Sequence, residues 1–170
     1  MEINVREMTL AETSVVVDYF RRATPEHLEI LGVDPSRLPD PITWSERFKQ
    51  LYTLPLERRW GFFVVWQLDG RSVGFSSCDK IRFGEEAFMH LHVTETDSRR
   101  QGIGHACVSK SVEIYFSALK LRRLYCEPNA FNVGPNRTLQ RAGFKYIKTH
   151  NTVPGALNYH QAVTRWLFEP

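Results

Sequence analysis

The chain has 170 residues, enough for one domain with a full core, so residues 1–170 are expected to form a single unit. Its 42% apolar and 24% charged residues exclude a disordered or membrane-embedded composition. A net charge of +3 is spread over scattered pairs (Arg21-Arg22, Arg58-Arg59, Arg99-Arg100, Arg122-Arg123), which argues against a nucleic-acid surface while suiting an anionic ligand.

In chain order, Ile3 and Val5 alternate with polar neighbours across Glu2 to Met8, predicting a first strand. Thr9 and Glu12 have capping-box spacing and open a helix whose apolar face carries Val15, Val16, Tyr19 and Phe20. Thr24-Pro25 begins a short helix closed by Gly32. Residues 33–41 are too proline-rich for regular structure. Thr43 and Glu46 form a second capping-box pattern before Trp44, Phe48, Leu51 and Tyr52 at helical spacing. This helical arm either walls a substrate cleft or covers one face of a sheet.

Gly61 to Leu68 is aromatic and β-branched, a strand, and Asp69-Gly70 is a two-residue hairpin turn that returns Arg71 to Cys78 antiparallel to it. FGEEA, residues 83–87, turns into Phe88 to Val93, where Phe88, His90 and His92 alternate with Met89, Leu91 and Val93. A polar loop then reaches Arg99-Arg100-Gln101-Gly102-Ile103-Gly104 and a helix with Val108, Val112, Tyr115, Phe116 and Leu119 on one face. Glycines let a ligand approach the backbone, the helix start offers unpaired N–H groups, and the arginines add charge: together an anion site, with phosphate the natural anion. The alternative is a solvated turn whose glycines only permit packing.

Arg123 to Glu127 reads as another strand, stopped by Pro128, which cannot sit inside a paired ladder. If it lies beside Phe88 to Val93, pairing must end there and leave a wedge. Pro135 suits the first turn of a helix, Asn136 to Ala142, ended by Gly143; strands over Phe144 to His150 and Tyr159 to Phe168 close the chain. Cys78, Cys107 and Cys126 match no zinc, redox or disulfide spacing, so a reducing compartment is expected. With no apolar signal core and no membrane-length run, the expectation is a cytoplasmic protein.

The element order and two motifs resemble the GCN5-related N-acetyltransferases (GNAT). Arg99-x-x-Gly102-x-Gly104 is similar to that family's acetyl-CoA pyrophosphate loop, and Asn132 with Gly143-Phe144 resembles its second cofactor motif. His90-x-His92 and CEPNAFN look most like the branch acting on ribosomal-protein N-termini and aminoglycosides. The resemblance implies an α+β fold: a central, mostly antiparallel sheet of six to seven strands, with a V-shaped splay between the fourth and fifth, flanked by helices. It implies acetyl-CoA as co-substrate and a small-molecule amine or protein N-terminus as acceptor, with neither nucleic acid nor membrane as partner and a monomer or homodimer as the working form.

Carried over by residue, backbone around His92 and Val93 would bond the acetyl and pantetheine part. Amides from Arg100 through Gln101, Gly102, Ile103, Gly104 and His105 to Ala106 would hold the pyrophosphate, with Arg99 and Arg100 adding charge. Asn132, Pro135 and Asn136 would flank the thioester arm. The count from Val93 to Gly102 is one longer than in many members, which a bulge or longer loop would absorb.

Attack on a thioester needs a neutral amine, so a base must take its proton; His90, His92 and Glu127 are the candidates, each with an alternative reading as sheet structure. An N–H near Val93 is a candidate oxyanion donor. A metal at His90 and His92 would need a third ligand, and none stands at suitable spacing. The sequence departs from the family at Leu139, where many members carry a tyrosine proposed as general acid; Tyr146 and Tyr159 are possible substitutes. That departure is the one support for a second reading, a catalytically inactive acetyl-CoA-binding sensor or partner domain.

Overall fold

A computed structural model describes residues 1–95 and 102–170. Its frame is one seven-stranded sheet in the order β1-β2-β3-β4-β5-β7-β6. The strands are β1 Ile3–Glu7, β2 Phe62–Leu68, β3 Arg71–Arg82, β4 Glu86–Val93, β5 Arg123–Cys126, β6 Lys145–Thr152 and β7 Gln161–Phe168. β4 and β5 run parallel, and the other neighbours are antiparallel. The α-helices among the described residues are α1 Ser14–Arg21, α2 Pro25–Leu31, α3 Pro41–Thr53, α4 Gly104–Leu119 and α5 Val133–Arg141. This is the mixed, splayed architecture expected.

Alternation along β2 and β3 splits the apolar residues between two cores. Val64, Trp66 and Val73 pack under α4, whose Val108, Val112, Tyr115 and Leu119 are buried, while Val65 and Phe75 face the arm with Val16, Phe20, Trp44 and Phe48. The arm therefore covers a sheet face, and it also walls the cleft described below. A buried polar thread fixes α4 against the sheet. Trp66 Nε1 donates to Ser111 Oγ at 2.9 Å, and Tyr115 donates to Ser76 Oγ at 2.8 Å. Ser76 in turn donates to the His90 carbonyl at 2.6 Å. Each buried donor finds an acceptor, which avoids the 1–3 kcal/mol or so that an orphaned one costs.

Local chemistry explains most boundaries. Asp69 and Gly70, at φ 49° and 78°, make the tight turn between β2 and β3. Gly32, at φ 71°, ends α2 in the left-handed region. Thr9 and Glu12 form the expected reciprocal pair, with Glu12 N donating to Thr9 Oγ1 at 3.3 Å and Thr9 N to Glu12 Oε1 at 2.9 Å, although they open a 3-10 turn ahead of α1.

The second capping box does not form. Asp40 caps α3 instead, accepting from Thr43 N at 2.9 Å and Thr43 Oγ1 at 2.6 Å, because Pro41 already sits at the first helical position. Glu46 turns to Lys49 at 2.9 Å. β3 runs four residues past Cys78 to Arg82, α4 starts at Gly104, and α5 starts at Val133 rather than Asn136.

Candidate active site

The β4–β5 ladder starts at Glu86↔Arg123 and stops at Met89↔Cys126. Pro128 removes one donor, and the chain beyond it is drawn to the other neighbour. Thr164 N donates to the Pro128 carbonyl at 3.1 Å, Ala130 N donates to the Ala162 carbonyl at 3.0 Å, and Asn129 bridges Val163. Residues 128–130 thus follow β7, and a gap opens beside the last turn of β4. On its far side β4 stays paired with β3 to Gly74↔Val93. Thr94 N bonds the Val73 carbonyl at 2.9 Å, so the alternation of the ladder turns the main chain of His90 and His92 to β3 and that of Leu91 and Val93 to the gap.

Two clefts converge on this gap. One, of about 430 Å³, lies between the helical arm and the sheet, with Phe20, Trp44, Trp60, Phe75, Asp79, His90 and Glu127 in its lining. The other, of about 290 Å³, runs between β4 and the starts of α4 and α5, lined by Tyr19, Val93, Gly102, Gly104, His105, Gly134 and Thr138 among others. Leu31, Leu91, His92, Asn132 and Pro135 line both, so the two clefts adjoin at the gap.

Within α4 the first ladder bond runs from Cys107 N to the Ile103 carbonyl at 3.0 Å, so the amides of Gly104, His105 and Ala106 have no partner within the helix. They start at the second cleft, with the positive end of a 16-residue helix dipole behind them. Gly102 holds φ 69°, which favours glycine. Ile103 is a core residue, 3% exposed, and offers only its backbone. Arg99, Arg100 and Gln101 lie outside the described residues.

The three candidate bases occupy different settings. His90 Nε2 is 2.9 Å from Asp79 Oδ1 across the β3–β4 pair. Burial pulls the His90 imidazole toward its neutral form, but the charge and hydrogen bond of Asp79 outweigh this and raise its pKa overall. His92 is packed among the rings of Tyr19, Phe20 and Phe75, with centroids 5.0–5.1 Å away. Glu127 is buried; its Oε2 accepts from Arg165 Nε at 3.1 Å and lies 3.2 Å from His150 Nε2. All three line the first cleft.

Asn132 and Pro135 line both clefts, whereas Asn136 does structural work. Its amide donates to the carbonyls of Asn129 at 3.1 Å and Asn132 at 2.8 Å and accepts from Trp166 Nε1 at 2.9 Å, fixing the loop that borders the gap. Leu139 is wholly buried. Tyr146 bonds Thr149 and Tyr159 bonds the Glu29 carbonyl, and neither lines a cleft. Sequence reasoning missed Tyr19, in the second cleft, with its hydroxyl 2.9 Å from His27 Nε2. It also missed Asp79, because the predicted strand stopped at Cys78. No group of three or more His, Cys, Asp or Glu among the described residues is arranged to hold a metal.

The adjoining clefts, the helix-start amides and the splayed strands make a candidate site open on two sides. Residues 24–144 match the model of the Acetyltransferase (GNAT) family. The chain belongs to the GNAT family and is an acetyl-CoA-dependent acetyltransferase. Comparison with curated proteins gives no match.

Solved structures share the fold. The ribosomal-protein-S5-alanine acetyltransferase from Vibrio fischeri is 17% identical, with 99% of this chain and 93% of that one covered and a TM-score of 0.75. The yncA protein of Salmonella typhimurium, a putative acetyltransferase solved with acetyl-CoA, is 13% identical (98% and 93% covered, TM-score 0.73). The aminoglycoside acetyltransferase AAC(6')-Ib, solved with ribostamycin and coenzyme A, is also 13% identical (99% and 94% covered, TM-score 0.74). At such identities the likeness concerns the fold alone.

Proposed function

We propose that the chain moves an acetyl group from acetyl-CoA directly to a primary amine, of a small molecule or a protein N-terminus. The observation that carries this is the meeting of two clefts at the point where the β4–β5 ladder stops. The donor's diphosphate rests on the amides from Gly104 to Ala106, and the family resemblance adds charge from Arg99 and Arg100, which lie outside the described residues. Its pantetheine arm runs between β4 and the Asn132–Pro135 segment, and the acceptor comes through the larger cleft.

The amine nitrogen attacks the thioester carbon, the carbon–sulfur bond breaks, and the thiolate leaves with the coenzyme. The proton lost by the amine goes to His90, which Asp79 orients, with Glu127 as the second acceptor within the same cleft. His92 serves by packing among the rings of Tyr19, Phe20 and Phe75, its main chain being paired with β3. The main chain of Leu91, turned to the gap, donates to the oxyanion. An acyl-cysteine route has no support: Cys126 lines the first cleft, but burial pushes its thiol well above the usual range and away from the thiolate form. The three free, buried thiols suit the cytoplasm.

The second reading, a domain that binds acetyl-CoA without turnover, draws on Leu139 in place of the family's tyrosine. Thiol release from acetyl-CoA with a panel of amines, read alongside product mass, tests both. Release that depends on the amine supports the enzyme, and tight acetyl-CoA binding with no release for any amine supports the silent module.

A further inference from the structure

The acceptor cleft has a composition that selects among amines. Its walls are aromatic, from Phe20, Trp44, Trp60 and Phe75. Its carboxylates are both committed: Asp79 to His90 at 2.9 Å, and Glu127 to Arg165 at 3.1 Å with His150 at 3.2 Å. Arg47 adds a cation to the same lining.

The acidic residues of the arm do not compensate. Asp40 caps α3, Asp34 is turned to Ser36 and Arg37, and neither they nor Glu26 and Glu29 line either cleft. The rings can face one ammonium group, but a polycation entering here would shed water from its remaining ammonium groups with no uncommitted carboxylate among the lining residues and with Arg47 repelling it. An amine with a single charge loses that charge to the base before attack, and its carbon body gains from the same walls.

We infer that the acceptor is a monoamine borne on an apolar, ring-sized body, and that polycationic amines such as aminoglycosides and polyamines are poor substrates. This rests on the acetyl-transfer reading above and names its acceptor class. A cleft of about 430 Å³ has room for an aromatic ring with a short amine-bearing chain. Such a body occurs in free arylalkylamines and at the first residue of a peptide that begins with phenylalanine.

The test uses the full chain with acetyl-CoA and four acceptors: phenethylamine, a tripeptide beginning with phenylalanine, kanamycin and spermidine. Thiol release gives kcat/KM for each, and calorimetry on the coenzyme A-loaded protein gives their dissociation constants. The expected result is a kcat/KM for at least one aromatic monoamine about 100-fold above that of either polycation. Which of the two aromatic acceptors is better tells the free amine from the peptide terminus. Trp60→Ala, at a position 48% exposed and outside the cofactor cleft, should cut the favoured acceptor's kcat/KM about tenfold and leave acetyl-CoA affinity unchanged.

Kanamycin or spermidine matching the aromatic amines would overturn the inference. So would a coenzyme A-loaded protein that binds neither aromatic amine. Calorimetry with acetyl-CoA alone reads the donor site separately; loss of binding there removes the acetyl-transfer reading itself, whatever the amines do.

Discussion

Asp79→Asn isolates the charge that tunes His90. Asparagine keeps the shape and a hydrogen-bonding oxygen, but the anion 2.9 Å from the imidazole is gone. In the wild type, burial lowers the His90 pKa and Asp79 more than compensates, with a smaller contribution from Glu127 that also raises it and one from Lys80 that lowers it. Removing the Asp79 charge leaves burial dominant, so the pKa must fall.

The kinetic consequence has a definite sign. A base works only when neutral, so the acid limb of the wild-type pH–kcat/KM profile lies above the ordinary histidine range, and the variant's limb moves to lower pH. The stability consequence has the opposite dependence. A folded pKa raised above the unfolded one contributes stability that is fully present below the unfolded value of about 6.5 and is lost as pH rises through the folded value. A charge-assisted hydrogen bond contributes roughly 1.5–3 kcal/mol, and with the two side chains 25% and 31% exposed solvent screening reduces this to about 1–2 kcal/mol. For a chain of this size that is about 2–8 °C in Tm.

The assays are pH–rate profiles and calorimetric melting of both proteins, at pH 5.5 and at pH 8.5. The Tm difference should be largest at the lower pH and shrink at the higher one. An acid limb at the same pH in both proteins, or a Tm difference that does not change with pH, would refute the role given to Asp79.

Other expectations follow from the same geometry. His90→Gln should lower kcat by about 10²–10⁴ while acetyl-CoA affinity is retained, measured by steady-state thiol release and calorimetry. In Gly74→Ala a Cβ would stand 2.6 Å from the His92 carbonyl oxygen and 2.9 Å from Trp66, so β3 and β4 must separate; a loss of about 1–3 kcal/mol in urea melts and weaker acetyl-CoA binding are expected. At Gly104 the added Cβ would sit 3.4 Å from Thr138, an ordinary contact, so Gly104→Val should fold yet crowd the second cleft and reduce acetyl-CoA affinity at least tenfold or so; unchanged affinity would show that the loop is not the site. Tyr19→Phe removes the phenol of the second cleft and should lower kcat by no more than about tenfold, because a thiolate can leave without an acid.

Much of the frame was legible because it is written in short-range chemistry. Asp69-Gly70, the Gly32 helix stop and the alternation that sets Phe88, His90 and His92 on one face each depend on neighbours a few residues away. Pro128 announced the end of a ladder for the same reason.

What opens the gap was not legible. The re-pairing of residues 128–130 with β7 joins positions more than thirty residues apart, and nothing local specifies it. The Asp79–His90 pair was hidden because β3 continues through Asp79 and Lys80, residue types depleted in strands. At α3 two cap signals competed, and proline geometry decided for Asp40 over Thr43. Asn136 was found by its motif, yet its role in bracing the loop emerges only from three partners spread over the fold.

The bonds from Thr164 and Ala130 to the chain around Pro128 have a consequence for turnover. On the proposed reading, the fissure for the thioester is propped by the protein's own main chain, so no nucleotide is needed to hold it open. Spent coenzyme then leaves a vacant berth of unchanged shape, and accumulating thiol product should compete for it directly.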